Sequence, residues 1–262
     1  MSSVVIASDE IKKRFKFVNY LFCNAGAVSI SGLDWSSIYA GITTHPIEFL
    51  CSTEALKQNR GLLTKEGLGQ TFATNFFGHY LLITKIRSII SIAPGERRII
   101  WTGSNASKLD FNKTDYQHLS GDKPYESSKF ITDQISVILD KDILKKDGIR
   151  SIVIEPGNVS SNILGDLNSL VLNYLVYIGF LIVRFLFGIS HLTVTPKNGS
   201  YGAFRVAFLD NDDLNGDLKY FTKCNRYGKP YVETELISYD EELAQYLISE
   251  FDNLVMYTTG NK

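Results

Sequence analysis

Lys123-Pro124-Tyr125-Glu126-Ser127-Ser128-Lys129 carries a Tyr-x-x-x-Lys pair. On a helix, residues four apart share a face, so this spacing sets a phenol beside an ammonium. A neighbouring Lys⁺ favours the phenolate and is expected to lower the tyrosine pKa. A phenol tuned in that way gives and takes a proton near neutral pH. Alone the pair says little, because many such pairs are solvated neighbours on a helix surface. Its companions along the chain decide the fold.

Upstream, Tyr20-Leu21-Phe22-Cys23-Asn24-Ala25-Gly26 is an apolar run that ends in Asn-Ala-Gly. Asn75-Phe76-Phe77-Gly78-His79-Tyr80 follows. Ile99-Ile100-Trp101-Thr102-Gly103-Ser104 then sets a serine just past a short apolar strand. Downstream, Ser151-Ile152-Val153-Ile154-Glu155-Pro156-Gly157 is another apolar strand, ending in Pro-Gly. The strands at 20–23, 98–102 and 151–155 are apolar on both faces, which suits a parallel sheet covered by helices. Helical patterns run over 68–90, with Phe72, Asn75, Phe76, His79 and Leu82, and over 125–146, with Ile131, Ile135, Ile138 and Leu139. A first helix is expected over 3–17, capped by Ser2 or Ser3. The final third reads as irregular, and no repeat or domain boundary interrupts the chain.

Composition narrows the class. With 262 residues, 44% hydrophobic and 21% charged, the chain fits one soluble-type α/β domain with a sizeable core. A net charge of −1 offers no electrostatic case for nucleic acid. Cys23, Cys51 and Cys224 match no metal spacing and read as inert thiols in a reducing compartment. His45, His79, His118 and His191 form no metal set and read as structural or surface residues, so no metal is expected. Asp9, Glu10 and Lys12 stand where a secretory signal would need an apolar core.

The succession of Asn-Ala-Gly, Asn75, Ser104, Tyr125-x-x-x-Lys129 and Pro-Gly resembles the short-chain dehydrogenase/reductase family, over nearly the whole chain from about Val4. Asn19-Tyr20-Leu21-Phe22, Thr74-Asn75-Phe76-Phe77-Gly78-His79, Tyr116-Gln117-His118 and Thr195-Pro196-Lys197-Asn198-Gly199 are similar to its 3-keto-steroid reductase branch, which includes the type 7 17β-hydroxysteroid dehydrogenases. The resemblance implies an α/β fold with a Rossmann-type doubly wound parallel sheet. It also implies reduction of a sterol 3-ketone during sterol synthesis, or of a steroid 17-ketone, with NADPH favoured over NADH.

The resemblance assigns roles residue by residue. Tyr125 is the proton donor to the ketone oxygen. Lys129 lowers its pKa and binds the nicotinamide ribose. Ser104 stabilises charge on that oxygen, with Ser107 as the fallback. Asn75 holds a relay water linking Lys129 to solvent. Asn24, Ala25 and Gly26 flank the adenosine side of the cofactor, Gly26 allowing close backbone approach. Pro156, Gly157 and Val159 meet the nicotinamide end, and Ser161 bonds its amide or a phosphate. A complete family member also opens with a glycine-rich turn, yet Met1 to Cys23 contain no glycine. The sheet is thus expected to be N-terminally incomplete by roughly 60–80 residues, about two βα units. A partial reductase, a truncated non-catalytic relative that scaffolds other sterol enzymes, and a replaced half all remain open.

Two segments stand apart. Residues 27–65 are long for a strand-to-helix connection and read either as a surface excursion or as an insert shaping the sterol site or the membrane face. Residues 167–189 are expected to be an apolar helical cover that lines the substrate pocket and dips one face into a membrane. An ordinary buried helix and a span remain alternatives there. The expected location is the cytosolic face of the endoplasmic reticulum membrane. A homodimer through the helices at 68–90 and 125–146 is a further expectation of the resemblance.

Overall fold

The computed structural model describes residues 1–50, 52–107, 111–159 and 170–260. Helix α1 (Ser2–Arg14) leads into β1 (Tyr20–Cys23). An excursion follows: β2 (Ile30–Leu33), α2 (Trp35–Thr44), α3 (Pro46–Leu50) and β3 (Leu56–Gln58). Next come α4 (Gln70–Phe72), a π turn at Ala73–Phe77 and α5 (Gly78–Ser91), which read on as one bent helix into β4 (Arg98–Thr102). Helix α6 (Pro124–Ile138) and β5 (Arg150–Glu155) come after it. The last third holds α7 (Leu170–Phe187), α8 (Pro196–Gly199), α9 (Tyr201–Ala207), β6 (Leu218–Cys224), β7 (Pro230–Leu236) and α10 (Glu241–Thr259).

The main sheet has the order β1-β4-β5-β6-β7, and β2 with β3 forms a separate antiparallel pair. Strands β1, β4, β5 and β6 run parallel, in registers such as Cys23↔Trp101, Thr102↔Ile154 and Val153↔Lys219. Only β7 is antiparallel in that sheet. The three sequence-predicted strands therefore lie side by side, and Asn24, Ser104 and Pro156 follow the carboxyl ends of three adjacent strands. That end of an open α/β sheet is where ligands bind.

One face of the sheet is covered by α5, α6 and α10. Phe76 stacks on Trp101 at 5.8 Å between ring centres and meets Phe251 of α10 at 4.9 Å. The other face packs Ile100, Ile152 and Ile154 against Val206 and Ala207 of α9. Dispersion and apolar burial on both faces explain why these strands alternate little in polarity.

Several expectations need correction. The C-terminal third is ordered secondary structure: its strands escape a hydrophobic-run reading because β6 buries Lys219 and Lys223. No serine side chain caps α1; Met1 occupies the N-cap position, and its ammonium pairs with Glu66. The helical run from Tyr125 breaks at Ile138, where a π turn at Leu139–Ile143 takes over. Helix α10 packs against α5 and α6. Tyr80 donates to Asp252 at 2.7 Å and Gln134 to the Ser238 carbonyl at 2.6 Å.

Candidate active site

Helix α6 starts with Pro124 in its first turn and has no side-chain cap of its own. The cap comes from the excursion instead. Gln58 at the end of β3 accepts the Tyr125 backbone N–H at 3.0 Å and donates to Glu126 at 2.7 Å. Thr53 donates to the other Glu126 oxygen. The excursion is thereby tied to the catalytic helix at the turn that holds Tyr125, which favours its reading as an insert serving the site.

Tyr125 is buried, and the Ser104 side chain is close enough to its phenol to pull its pKa down. Of the two serine candidates, Ser104 is thus the one beside the phenol, while the Ser107 hydroxyl is engaged by Lys219 at 2.8 Å. Gly103 makes the turn possible: a Cβ there would sit 2.6 Å from Val153 Cγ1. Lys129 lies one helical turn beyond Tyr125, its ammonium 5.5 Å from the ring centre, and donates to the Thr102 carbonyl at 2.7 Å.

The tyrosine tuning differs from the expectation. Burial pushes the Tyr125 phenol up to about 12; the nearby Ser104 opposes this, and Glu155 and Glu126 add to it. Burial likewise brings Lys129 down to about 8, with Asp133 opposing and Lys219 assisting. Desolvation of the phenolate outweighs the helix-face pairing because the ring is enclosed and the Lys129 ammonium is turned to the Thr102 carbonyl.

Asn75 sits in the π turn, a feature frequent at functional sites. Its amide accepts from Ala27 N at 2.8 Å and donates to Ala27 O at 3.0 Å and Ser128 Oγ at 3.2 Å. The side chain therefore locks the Asn-Ala-Gly loop onto α6. A Cβ on Gly26 would lie 3.3 Å from Asn75 Oδ1 and 3.9 Å from Lys129 Nζ, so the glycine keeps the approach to both open. Asn24 accepts from Thr102 Oγ1 at 2.9 Å, and His79 Nε2 meets the Ala25 carbonyl at 2.8 Å.

Past β5, the Pro156 carbonyl accepts from Thr193 at 2.9 Å. Gly157 has φ +71, and a Cβ there would collide with Thr193 and the His191 carbonyl. Val159 pairs with Val194 in a parallel bridge. Asn24, Ala25, Gly26, Asn75, Ser104, Tyr125 and Lys129 come together on α6 and the ends of β1 and β4, while Pro156, Gly157 and Val159 continue from β5. Ser161 lies outside the described residues.

Sequence reasoning missed four partners. Gln58 caps the catalytic helix, and Asp133 and Lys219 form a buried ion pair beneath Ser104. The fourth is Glu155, the last residue of β5, almost wholly buried and with Oε2 unpartnered among the described residues. A charged residue inside an apolar strand was the available signal for Glu155.

Relatives of known name agree with this geometry. No protein-family model matches the chain. The rat 3-keto-steroid reductase/17-beta-hydroxysteroid dehydrogenase 7 is 32% identical over 249 residues, spanning 94% of this chain and 73% of the relative. Its human counterpart is 30% identical, spanning 94% and 72%. The 3-keto-steroid reductase of Saccharomyces cerevisiae is 31% identical, spanning 90% and 68%. Among solved structures, an uncharacterised Mycobacterium paratuberculosis protein matches with TM-score 0.57 at 16% identity, over 97% of this chain and 71% of its own. Salutaridine reductase from Papaver somniferum matches with TM-score 0.51 at 14% identity, over 84% and 77%. At such identities the two structures speak for the fold. Sheet, site order and relatives together define an oxidoreductase of the short-chain dehydrogenase/reductase class. Within that class, the chain belongs to the 3-keto-steroid reductase family.

Glu155 gives a pH prediction. Burial lifts its carboxyl to about 7; the Gly157 N–H, Lys219 and Lys223 oppose this, and Glu235 adds to it. A raised carboxyl pKa stabilises the fold below the unfolded value of about 4.3 and withdraws that stability as pH climbs to the folded value. Glu155→Gln should therefore match the parent near pH 4 and exceed it at pH 8, by on the order of 5 °C in Tm. Melting curves of both proteins across that range check it. A difference that does not grow between about pH 4.3 and 7 contradicts the assignment.

Proposed function

We propose that this protein reduces the ketone of a sterol or steroid with NADPH, at the 3-position in sterol synthesis and with 17-ketones as a second substrate class. The observation that carries the chemistry is the Ser104 side chain beside the buried Tyr125 phenol, with Lys129 one turn further along the same buried helix. The 3-keto-steroid reductases among the relatives support the substrate class.

The residues present fit the nicotinamide ribose. Lys129 has three donor protons, of which the Thr102 carbonyl takes one. Gly26 leaves backbone approachable beside that ammonium. A bound NADPH supplies the hydride. Ser104 and Tyr125 offer neighbouring hydroxyls, the first to stabilise a ketone oxygen gathering charge and the second to protonate it. A phenol held near 12 is fully protonated at neutral pH, the form a reduction requires. Burial of Tyr125 limits competing water at the phenol and strengthens its contact. Preference for NADPH over NADH is the expectation of the branch.

The outer face of α7 supports membrane contact. Tyr177, Phe180, Leu181 and Val183 pack onto Ile189, Leu192 and Val194. Tyr174, Ile182, Phe185, Leu186 and Phe187 of the same helix are exposed. Arg184 is turned inward and donates to the Leu192 carbonyl at 3.1 Å. The helix has 18 residues, about 27 Å of rise against a hydrocarbon core of about 30 Å. Among the described residues, no helix is long and apolar enough to cross a membrane. The reading is an interfacial helix, at the cytosolic face of the endoplasmic reticulum.

Two experiments test these readings. Tyr125→Phe should lower reduction of a 3-keto sterol about 10²–10⁴-fold while leaving NADPH affinity nearly intact. A turnover near the parent value would sink the proton-donor role. Phe185→Ser with Phe187→Ser should release the protein from phosphatidylcholine vesicles in a flotation gradient. Parent protein that stays with the soluble fraction, or a variant that floats equally well, would end the membrane reading of α7.

A further inference from the structure

Lys219 stands 115 positions along the chain from Ser104, yet its ammonium reaches the turn that carries that serine. Its three acceptors are the Ser104 carbonyl at 3.0 Å, Ser107 Oγ at 2.8 Å and Asp133 Oδ2. An ammonium has three protons, and each has a partner. The side chains of the ion pair are only 6% and 8% exposed. Register fixes the lysine, since Lys219 stands opposite Val153 across the β5–β6 pairing.

The turn is gripped from two sides. Gly103 N donates to the Ile154 carbonyl at 2.7 Å, which ties its start to β5. Lys219 holds its middle and end. Ser104 Oγ accepts from Ala106 N at 3.1 Å, which limits rotation of the serine side chain beside Tyr125. Asp133 is also one helical turn beyond Lys129 on α6. While Lys219 engages Asp133, the Lys129 ammonium is directed to the Thr102 carbonyl. Without Lys219, a buried carboxylate would lack its partner and Lys129 would be the nearest cation able to replace it.

We propose that Lys219, charge-matched by Asp133, is a positioning residue that clamps the Ser104–Ser107 turn, aims the Ser104 hydroxyl at Tyr125 and keeps Asp133 from drawing Lys129 away. The effect on turnover rests on the reductase reading; the effect on the turn rests on geometry alone.

The test uses the full chain with Lys219→Arg, Lys219→Met and the double variant Lys219→Met/Asp133→Asn, which removes both members of the ion pair. Amide hydrogen exchange of residues 103–107 is read against residues 150–155 as an internal reference. In Lys219→Met and in the double variant, exchange at 103–107 should rise at least about 10-fold while the reference strand holds. The kcat for ketone reduction should fall about 10–100-fold, with KM for NADPH changed less than about 3-fold. Lys219→Arg should recover most of both. If Lys219→Met does not fold, the double variant and the arginine variant carry the comparison. Parent-like exchange at 103–107 in the double variant overturns the clamp, and so does faster exchange with an unchanged kcat. A parent protein that reduces no ketone sinks the reductase reading, and the exchange comparison then decides the clamp by itself.

Discussion

Helix α6 is buried on all sides although more than half of its residues are polar. Of its fifteen residues, only Phe130 escapes full burial. Burying a polar group without a partner costs on the order of 1–3 kcal/mol, so each such side chain must be met from another element. Gln58 and Thr53 meet Glu126, Tyr116 meets Ser127, Asn75 meets Ser128, Thr102 meets Lys129, Lys219 meets Asp133, and Ser151 meets Ser136. Those partners come from β3 and the loop before it, the π turn, β4, the stretch before α6, β5 and β6. The requirement to satisfy one helix thus organises most of the sheet's carboxyl end.

The same enclosure determines the chemistry. A phenol and an ammonium on a solvated helix would hold near-ordinary pKa values. Here desolvation drives the phenol up and the ammonium down, so both neutral forms gain. The site is suited to donating a proton from Tyr125. Asp133, Lys219 and Glu155 are buried charged groups around it, and the Asp133–Lys219 pair supports the Ser104 turn. Breaking one member strands its partner, which is why such a pair holds geometry more firmly than it adds stability.

The sequence made much of this legible. Tyr125 and Lys129 could be read from helical spacing, and Ser104, Asn24 and Pro156 from their places just past apolar strands. What it concealed has a common cause. Lys219 and Asp133 meet across 86 positions, and Gln58 reaches Tyr125 across 67. No local period links such pairs. Strand β6 was hidden by its own buried lysines, since a charge in a short strand argues for exposure until its partner is seen. The tyrosine shift ran opposite to expectation because spacing reports the neighbour and says nothing of enclosure. Phe251 of α10 likewise lies far along the chain from every ring it touches.

The account turns on whether this buried constellation holds a nicotinamide dinucleotide. The most direct measurement is titration of the full chain with NADPH by tryptophan fluorescence, beside a Lys129→Met variant of matched melting temperature. Saturable binding by the parent, weakened at least about 10-fold in the variant, is the predicted result. No saturable binding by the parent, or equal affinity in the two proteins, would contradict it.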